Sequence, residues 1–311
     1  MKKRWDVLGI GVAAVDDLVF VDHFPQPDDK TPVVDRQRQG GGLVATALVT
    51  VTRLGGKSAY CACLGRDELS SYTIDELQRE GVDCSLIQVV EQARPYHSII
   101  IVDRTAGSRT ILYSRQGFRE PSPDQLSPEM VRDCRVLLVD SFTLIASSRA
   151  TQLARVEHVP VVVDVEPPLM PEMERLISQV DHLIIGSTMG AILSGKEDPP
   201  EMVRVLARGA RACTAVTAGE RGCWYAEGNG QVRHQPAIRV KVVDTTGCGD
   251  VFHGAYAAAL AFGEGVPQAI AIASVSAGLK ATQPGGRSGI SDMATVRKFL
   301  AGPANLQPKI G

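Results

Sequence analysis

Short apolar runs rich in β-branched residues recur along the chain at Asp6 to Val12, Ala59 to Leu64, Val136 to Val139, Val159 to Val165, His182 to Ile185 and Ala215 to Thr217. Helical patterns lie between them, so strand and helix alternate. That order predicts a mostly parallel sheet with both faces covered by helices. Two segments break the alternation. Leu18 to Gln39 and Tyr96 to Arg115 alternate polar and apolar positions, contain turns such as Thr105-Ala106-Gly107, and carry no helix of their own. They predict a small antiparallel flap, spanning about 17–39 and 96–115 and inserted in the α/β core. Placed over the carboxyl ends of the parallel strands, where open α/β sheets bind ligands, it would act as a lid. A plain dimerisation ribbon is the alternative, and one flap can serve both ends. No repeat, low-complexity tract or Gly/Ser-rich linker divides the chain, so residues 1–311 read as one domain.

Composition narrows the function. Lysine plus arginine number 33 against 35 acids, which leaves neither a basic stripe for nucleic acid nor an acidic tail, and favours a small-molecule partner. Seven cysteines without CxxC pairs argue against a disulfide framework and for a reducing cytoplasm. Cys61 and Cys63 alternate along a strand and suit a buried sheet face, while Cys248 and His253 lack the further ligands that zinc needs. The stretch Met1 to Asp6 is charged without the apolar run of a signal peptide, and no later segment reaches transmembrane length. A soluble protein with no membrane partner is expected.

The stretch DTTGCGDVFHGAYA, Asp244 to Ala257, raises the sharpest chemical question. It follows the strand-like Ile238 to Val243, and Val251 to Phe262 has the alanine-rich composition of a buried helix. Gly247, Cys248 and Gly249 therefore stand at a helix N-terminus, where free N–H groups and the helix dipole welcome an anion such as phosphate. Asp250 beside such a site would be repelled unless it serves a neighbouring hydroxyl. General base for phosphoryl transfer to an alcohol is that service; a helix-capping aspartate is the bland alternative.

These residues resemble the C-terminal signature D-T-x-G-A-G-D-x-F of the ribokinase-like (phosphofructokinase-B type) carbohydrate kinases. Asp244, Thr245, Thr246, Gly247, Gly249, Asp250 and Phe252 match it, with Cys248 where alanine is commoner. Leu8 to Gly11 leading to Asp16, Gly40-Gly41-Gly42 before Ala45-Thr46-Ala47, the Cys63 to Asp83 segment, VTAGERG at Val216 to Gly222, and Ser274 to Gly286 are similar to further family segments in the same order. The resemblance implies a three-layer α/β/α core with an antiparallel β lid, and an ATP-dependent kinase acting on a primary hydroxyl of a sugar, with magnesium and potassium as ions. By position it implies Asp250 as base, with Gly247, Cys248 and Gly249 presenting N–H groups to the transferring phosphoryl. Asp16, Gly41, Gly42 and Thr46 would hold the sugar, and Thr217, Gly219, Gly222 and Ser274 the nucleotide. Asp244 and Thr246 would bind a monovalent cation. A homodimer through the lid strands is implied as well.

Thr46 stands where the family has asparagine. The N-x-x-E motif tied to magnesium should fall near Gly186 to Met189, and neither its amide nor its acid is present, so no magnesium ligand is assigned. Asp164, at a strand end before Pro167-Pro168, reads equally as a ligand-facing acid and a turn former; His253 reads as a buried helix histidine outside the catalytic set. Arg36, Arg38, Arg104, Arg109 and Arg115 cluster at the flap, where they protect edge strands or bind an anionic sugar. A nucleoside kinase and a catalytically silent sugar sensor are the alternative functions.

Overall fold

The computed structural model describes residues 3–106, 108–207, 209, 211–302 and 309–310. Among them fourteen strands run in chain order as β1 (Trp5–Ile10), β2 (Ala14–Val21), β3 (Asp35–Gly41), β4 (Ser58–Leu64), β5 (Ile87–Val89), β6 (Tyr96–Asp103), β7 (Ser108–Ser114), β8 (Cys134–Asp140), β9 (Val161–Asp164), β10 (His182–Gly186), β11 (Cys213–Thr217), β12 (Cys223–Glu227), β13 (Arg233–Gln235) and β14 (Lys309–Ile310). The main sheet has the order β14-β13-β12-β11-β10-β9-β8-β1-β4-β5. Its ladders are parallel from β5 through to β11 and antiparallel from β11 to β14. The six expected core strands are β1, β4, β8, β9, β10 and β11. Their residues Leu8, Ile10, Leu137, Val139, Val163 and Ile185 face one apolar layer, while Val7, Tyr60, Leu138, Val162 and Ile184 face the other. Helices therefore cover both faces, as continuous apolar strands require.

One layer is built by the helices Leu43–Arg53, Cys248–Ala261 and Val266–Lys280, whose apolar residues surround their axes instead of forming a stripe. Small side chains let them pack closely. A Cβ at Gly254 would run into the backbone of Ala47, so glycine is needed where the first two helices cross.

The flap is a separate four-stranded sheet, β3-β2-β6-β7. Its outer ladders are antiparallel and its middle ladder, β2 with β6, is parallel. The sheet starts at Ala14, just before the expected start, because β2 leaves the core directly from the end of β1. Asp140, fully buried at the end of β8, fixes that corner: its carboxylate accepts from the N–H of Val12 (2.6 Å), Phe142 (3.0 Å) and Thr143 (3.2 Å). At the flap's other turn Asp103 accepts from the N–H of Thr105 and Ala106; Gly107 lies outside the described residues.

Two expectations are corrected. Ile238 to Val243 forms no strand: Val242 and Val243 are exposed, and the N–H of Val243 donates to Ala281 at a helix end. The helix after the glycine turn begins at Cys248, not Val251. No described helix is long and apolar enough to cross a membrane, and all seven cysteines are free.

Candidate active site

The glycine turn opens the helix Cys248–Ala261. Gly247 is its N-cap in the left-handed region (φ 74°), pressed so close to the carbonyl of Gly286 that a side chain would collide. The N–H of Cys248 is spent on the carbonyl of Thr245 at 3.2 Å. The N–H groups of Gly247, Gly249 and Asp250 have no acceptor among the described residues, and a Cβ at Gly249 would meet nothing within 4 Å. The open donors therefore differ from the expected set at one member, with the Asp250 N–H in place of that of Cys248. Three free N–H groups at a helix N-terminus beside open space form an anion cradle.

Asp250 sits in the first turn of this helix and makes no side-chain cap bond, which removes the capping alternative. Its carboxylate, partly exposed, has no hydrogen bond or ion pair among the described residues. Burial of its surroundings, reinforced by the Asp164 and Glu166 carboxylates, pushes its pKa up to about 8 against the pull of His253 and Arg287. Beneath it, His253 is pinned by acceptors on both ring nitrogens: Nδ1 lies 2.8 Å from the Gly249 carbonyl and 3.2 Å from Asp164, and Nε2 lies 3.0 Å from the Ile184 carbonyl. Asp164 thus ends β9 as the partner of a buried histidine that holds the cradle's backbone.

On the acceptor side, Asp16 is buried on β2 between Gln39 and Ser98, and burial raises its pKa. Gly41 lies against it so closely that any side chain there would strike the carboxylate. Gly42, at φ 88°, is crowded by the backbone of Ala13 and caps the helix Leu43–Arg53. Thr46 is buried in that helix, and its hydroxyl is taken: Nε of Arg287 donates to it at 3.2 Å. The same guanidinium, itself 4% exposed, donates to the Gly41 carbonyl at 2.9 Å and pairs with Glu76. The sequence singled out neither Arg287 nor Glu76. The only signal was that Arg287 directly follows the Gln283 to Gly286 segment.

On the far side of the cradle, Thr217 ends β11 and its hydroxyl lies 3.4 Å from the Ile185 carbonyl. Gly219 (φ 58°) and Gly222 (φ 88°) shape the next turn, and Gly222 has no room for a side chain against Gln235. Ser274 is buried in the helix Val266–Lys280, and its hydroxyl has no hydrogen-bond partner among the described residues. Asp244 and Thr246, expected to hold a monovalent cation, are hydrogen-bonded to each other and to their neighbours. The Asp244 carboxylate accepts from the N–H of Thr246 (2.9 Å) and Gly285 (2.8 Å), the Thr246 hydroxyl (2.7 Å) and the Arg109 guanidinium (3.2 Å). Its carbonyl accepts from Nζ of Lys280 at 2.9 Å. Two of these donors, Arg109 and Lys280, are themselves cations, so a potassium ion at Asp244 would meet like charge and the residues fit it poorly.

The flap closes over this region. Arg109 of β7 reaches Asp244, and Gln39 of β3 accepts from the N–H of Gly286 at 3.2 Å. The remaining flap arginines are mostly engaged locally: Arg38 with Asp17 and Glu68, Arg104 with Asp22, and Arg115 over the ring of Tyr96.

An anion cradle and an unpaired carboxylate beneath a flap, set at the carboxyl ends of a parallel sheet, have the geometry that group transfer needs. The profile described as pfkB family carbohydrate kinase matches residues 6–293, and the chain belongs to that family. It is accordingly a phosphotransferase with an alcohol group as acceptor. It is 26% identical to a ribokinase of Haemophilus influenzae over 314 residues (96% of this chain, 99% of the relative) and 26% identical to one of Schizosaccharomyces pombe over 270 residues (82% and 85%). The structure of an Arabidopsis thaliana ribokinase complexed with ribose and ATP superimposes with a TM-score of 0.83 at 20% identity, covering 96% of this chain and 99% of that one.

Proposed function

We propose that the chain transfers the γ-phosphoryl group of ATP to a primary hydroxyl of a sugar, with Asp250 as general base. One observation carries this: the Asp250 carboxylate, with no hydrogen bond or ion pair among the described residues, stands beside three free N–H donors. The sugar would lie between Asp16, Gly41 and Gly42 and the Asp250 carboxylate. The triphosphate would run from the cradle toward Thr217, Gly219 and Gly222, with Ser274 near the base. Asp250 would take the hydroxyl proton as oxygen attacks the γ-phosphorus, and the N–H groups of Gly247, Gly249 and Asp250 would hold the equatorial oxygens of the phosphoryl in transit. No group of three or more His, Cys, Asp or Glu side chains among the described residues is arranged to hold a metal, so magnesium fits as a partner of the ATP phosphates, held to the protein through water. Flap closure would keep out water that competes with the sugar. We place the protein in the cytoplasm as a single domain, paired through exposed flap residues such as Ile111, Leu112 and Tyr113.

A sugar suits the site better than a nucleoside. The aromatic cluster by the flap packs on itself, Tyr96 edge-on to Phe118 at 4.8 Å and to Phe142 at 6.1 Å. The cavity beside that cluster, lined by Gly11, Tyr60 and Phe118, measures about 10 Å³, room for one water. An ATP-consumption assay across neutral sugars, acidic sugars and nucleosides tests the reading: turnover on a sugar supports it. Turnover on nucleosides alone would replace it, and none on any alcohol would leave a sensor.

The shifted carboxyl sets a pH dependence. Asp250 works as a base only when ionised, so kcat/KM rises with pH through about 8 and levels off above. Glu166 adds negative charge that holds the pKa up, so Glu166→Gln lowers it and moves the acid limb to lower pH. A pH–rate profile for the two proteins checks this; an unmoved limb would take Asp250 out of the rate expression.

A further inference from the structure

Lys280 is the single charged residue of the helix Val266–Lys280, and it is 0% exposed. A lysine that merely complemented the helix C-terminus would do so from solvent, where its ammonium stays hydrated. This one points inward, and Nζ donates to the main-chain carbonyl of Asp244 at 2.9 Å. That carbonyl opens the segment leading to the anion cradle. The segment is tied down beside the same helix end, because the N–H groups of Val243 and Asp244 both donate to the carbonyl of Ala281. Burial lowers the pKa of this ammonium, against the pull of the Asp244 and Asp250 carboxylates, with Arg109 a like-charged neighbour.

We propose that the Lys280 ammonium is the built-in monovalent cation of this enzyme, holding the Asp244–Asp250 loop in the shape that aims its N–H groups at the phosphoryl, so that neither the loop nor catalysis needs potassium. The inference rests on the kinase reading above. Two features separate Lys280 from the other positive group at Asp244. Arg109 is 40% exposed and arrives on a flap strand, so it leaves when the flap opens. Lys280 belongs to the core helix and stays in both states. Its positive charge at the rear of the loop also favours negative charge developing at the front. The same ammonium disfavours a second cation, since it already stands 2.9 Å from the Asp244 carbonyl and like charges repel.

The test compares purified enzyme in potassium and in tetramethylammonium salts at equal ionic strength. Thermal midpoint, thallium(I) binding by thallium NMR, and initial rate are measured. For the wild-type chain the midpoint is unchanged, thallium does not bind, and the rates agree within about twofold. Lys280→Met loses roughly tenfold or more in kcat with sugar KM unchanged, and gains stimulation by potassium. Potassium-specific stabilisation of the wild type, thallium bound in competition with potassium, or an undiminished Lys280→Met would each overturn the proposal. If Lys280→Met does not fold, the wild-type comparison decides alone. If no sugar is turned over, the kinase reading fails by itself, while midpoint and thallium binding still judge the cation.

Discussion

Replacing Asp250 by asparagine is expected to lower turnover by ~10²–10⁴-fold while ATP affinity stays within about threefold, because the amide keeps the shape of the side chain and cannot take a proton. The structure makes this substitution unusually clean. No hydrogen bond or ion pair to the Asp250 carboxylate exists among the described residues, and the N-cap of its helix is Gly247, so asparagine breaks nothing that holds the turn. It also removes a carboxylate crowded by Asp164 and Glu166, which relieves repulsion and leaves the variant no less stable than the parent. Loss of rate with retained stability is therefore the expected pair of results. Stopped turnover accompanied by a lower unfolding midpoint would assign Asp250 a structural role. Steady-state kinetics with ATP and sugar varied separately, together with urea unfolding, distinguishes the two.

The second large effect is on stability. Arg287→Met is expected to cost about 3–5 kcal/mol, a large share of the ~5–15 kcal/mol that holds a folded domain together. The guanidinium is buried and ties three parts of the chain: the Glu76 carboxylate, the Gly41 carbonyl and the Thr46 hydroxyl. Methionine fills much of the volume but leaves Glu76, whose side chain is 14% exposed, as an uncompensated charge. Pairing the change with Glu76→Leu should recover most of the loss, because replacing both members of a buried ion pair by apolar groups is far cheaper than removing one. Urea unfolding of both variants checks this; a single variant within about 1 kcal/mol of the parent would show that the pair is solvated in solution.

The difference between these two residues shows what the chain discloses locally. Asp250 was legible because its chemistry is adjacent in sequence: glycines, an acid and an alanine-rich helix follow one another, so the turn and its charge can be read together. The glycine turn at Gly41 and Gly42 was legible from the helix that follows it. Arg287 lies 241 residues from Thr46 and 211 from Glu76, and nothing local distinguishes a buried arginine from a solvated one. Lys280 ends an apolar helix, where a lysine is ordinarily a surface residue completing the dipole; only the packing of the Asp244 segment over it turns it inward. The donor exchange from Cys248 to Asp250 depends on a turn bond to Thr245 that residue types do not specify.

The fold followed similar logic. Strands such as Val136 to Val139 are buried on both faces and announce themselves by continuous apolar residues, whereas Ile238 to Val243, equally rich in β-branched residues but broken by Arg239 and Lys241, has no neighbour to pair with. Its backbone goes to a helix end instead, and two of its valines remain in solvent. Residue type proposes a strand; a ladder partner is needed to make one.

Phosphorus NMR of a reaction with ATP and a sugar that the enzyme turns over tests the central claim most directly. The account predicts ADP and a phosphate ester in equal amounts, the ester signal split into a triplet by the paired protons of a P–O–CH₂ group. Inorganic phosphate released without an ester, or an ester formed at the parental rate by Asp250→Asn, would contradict it.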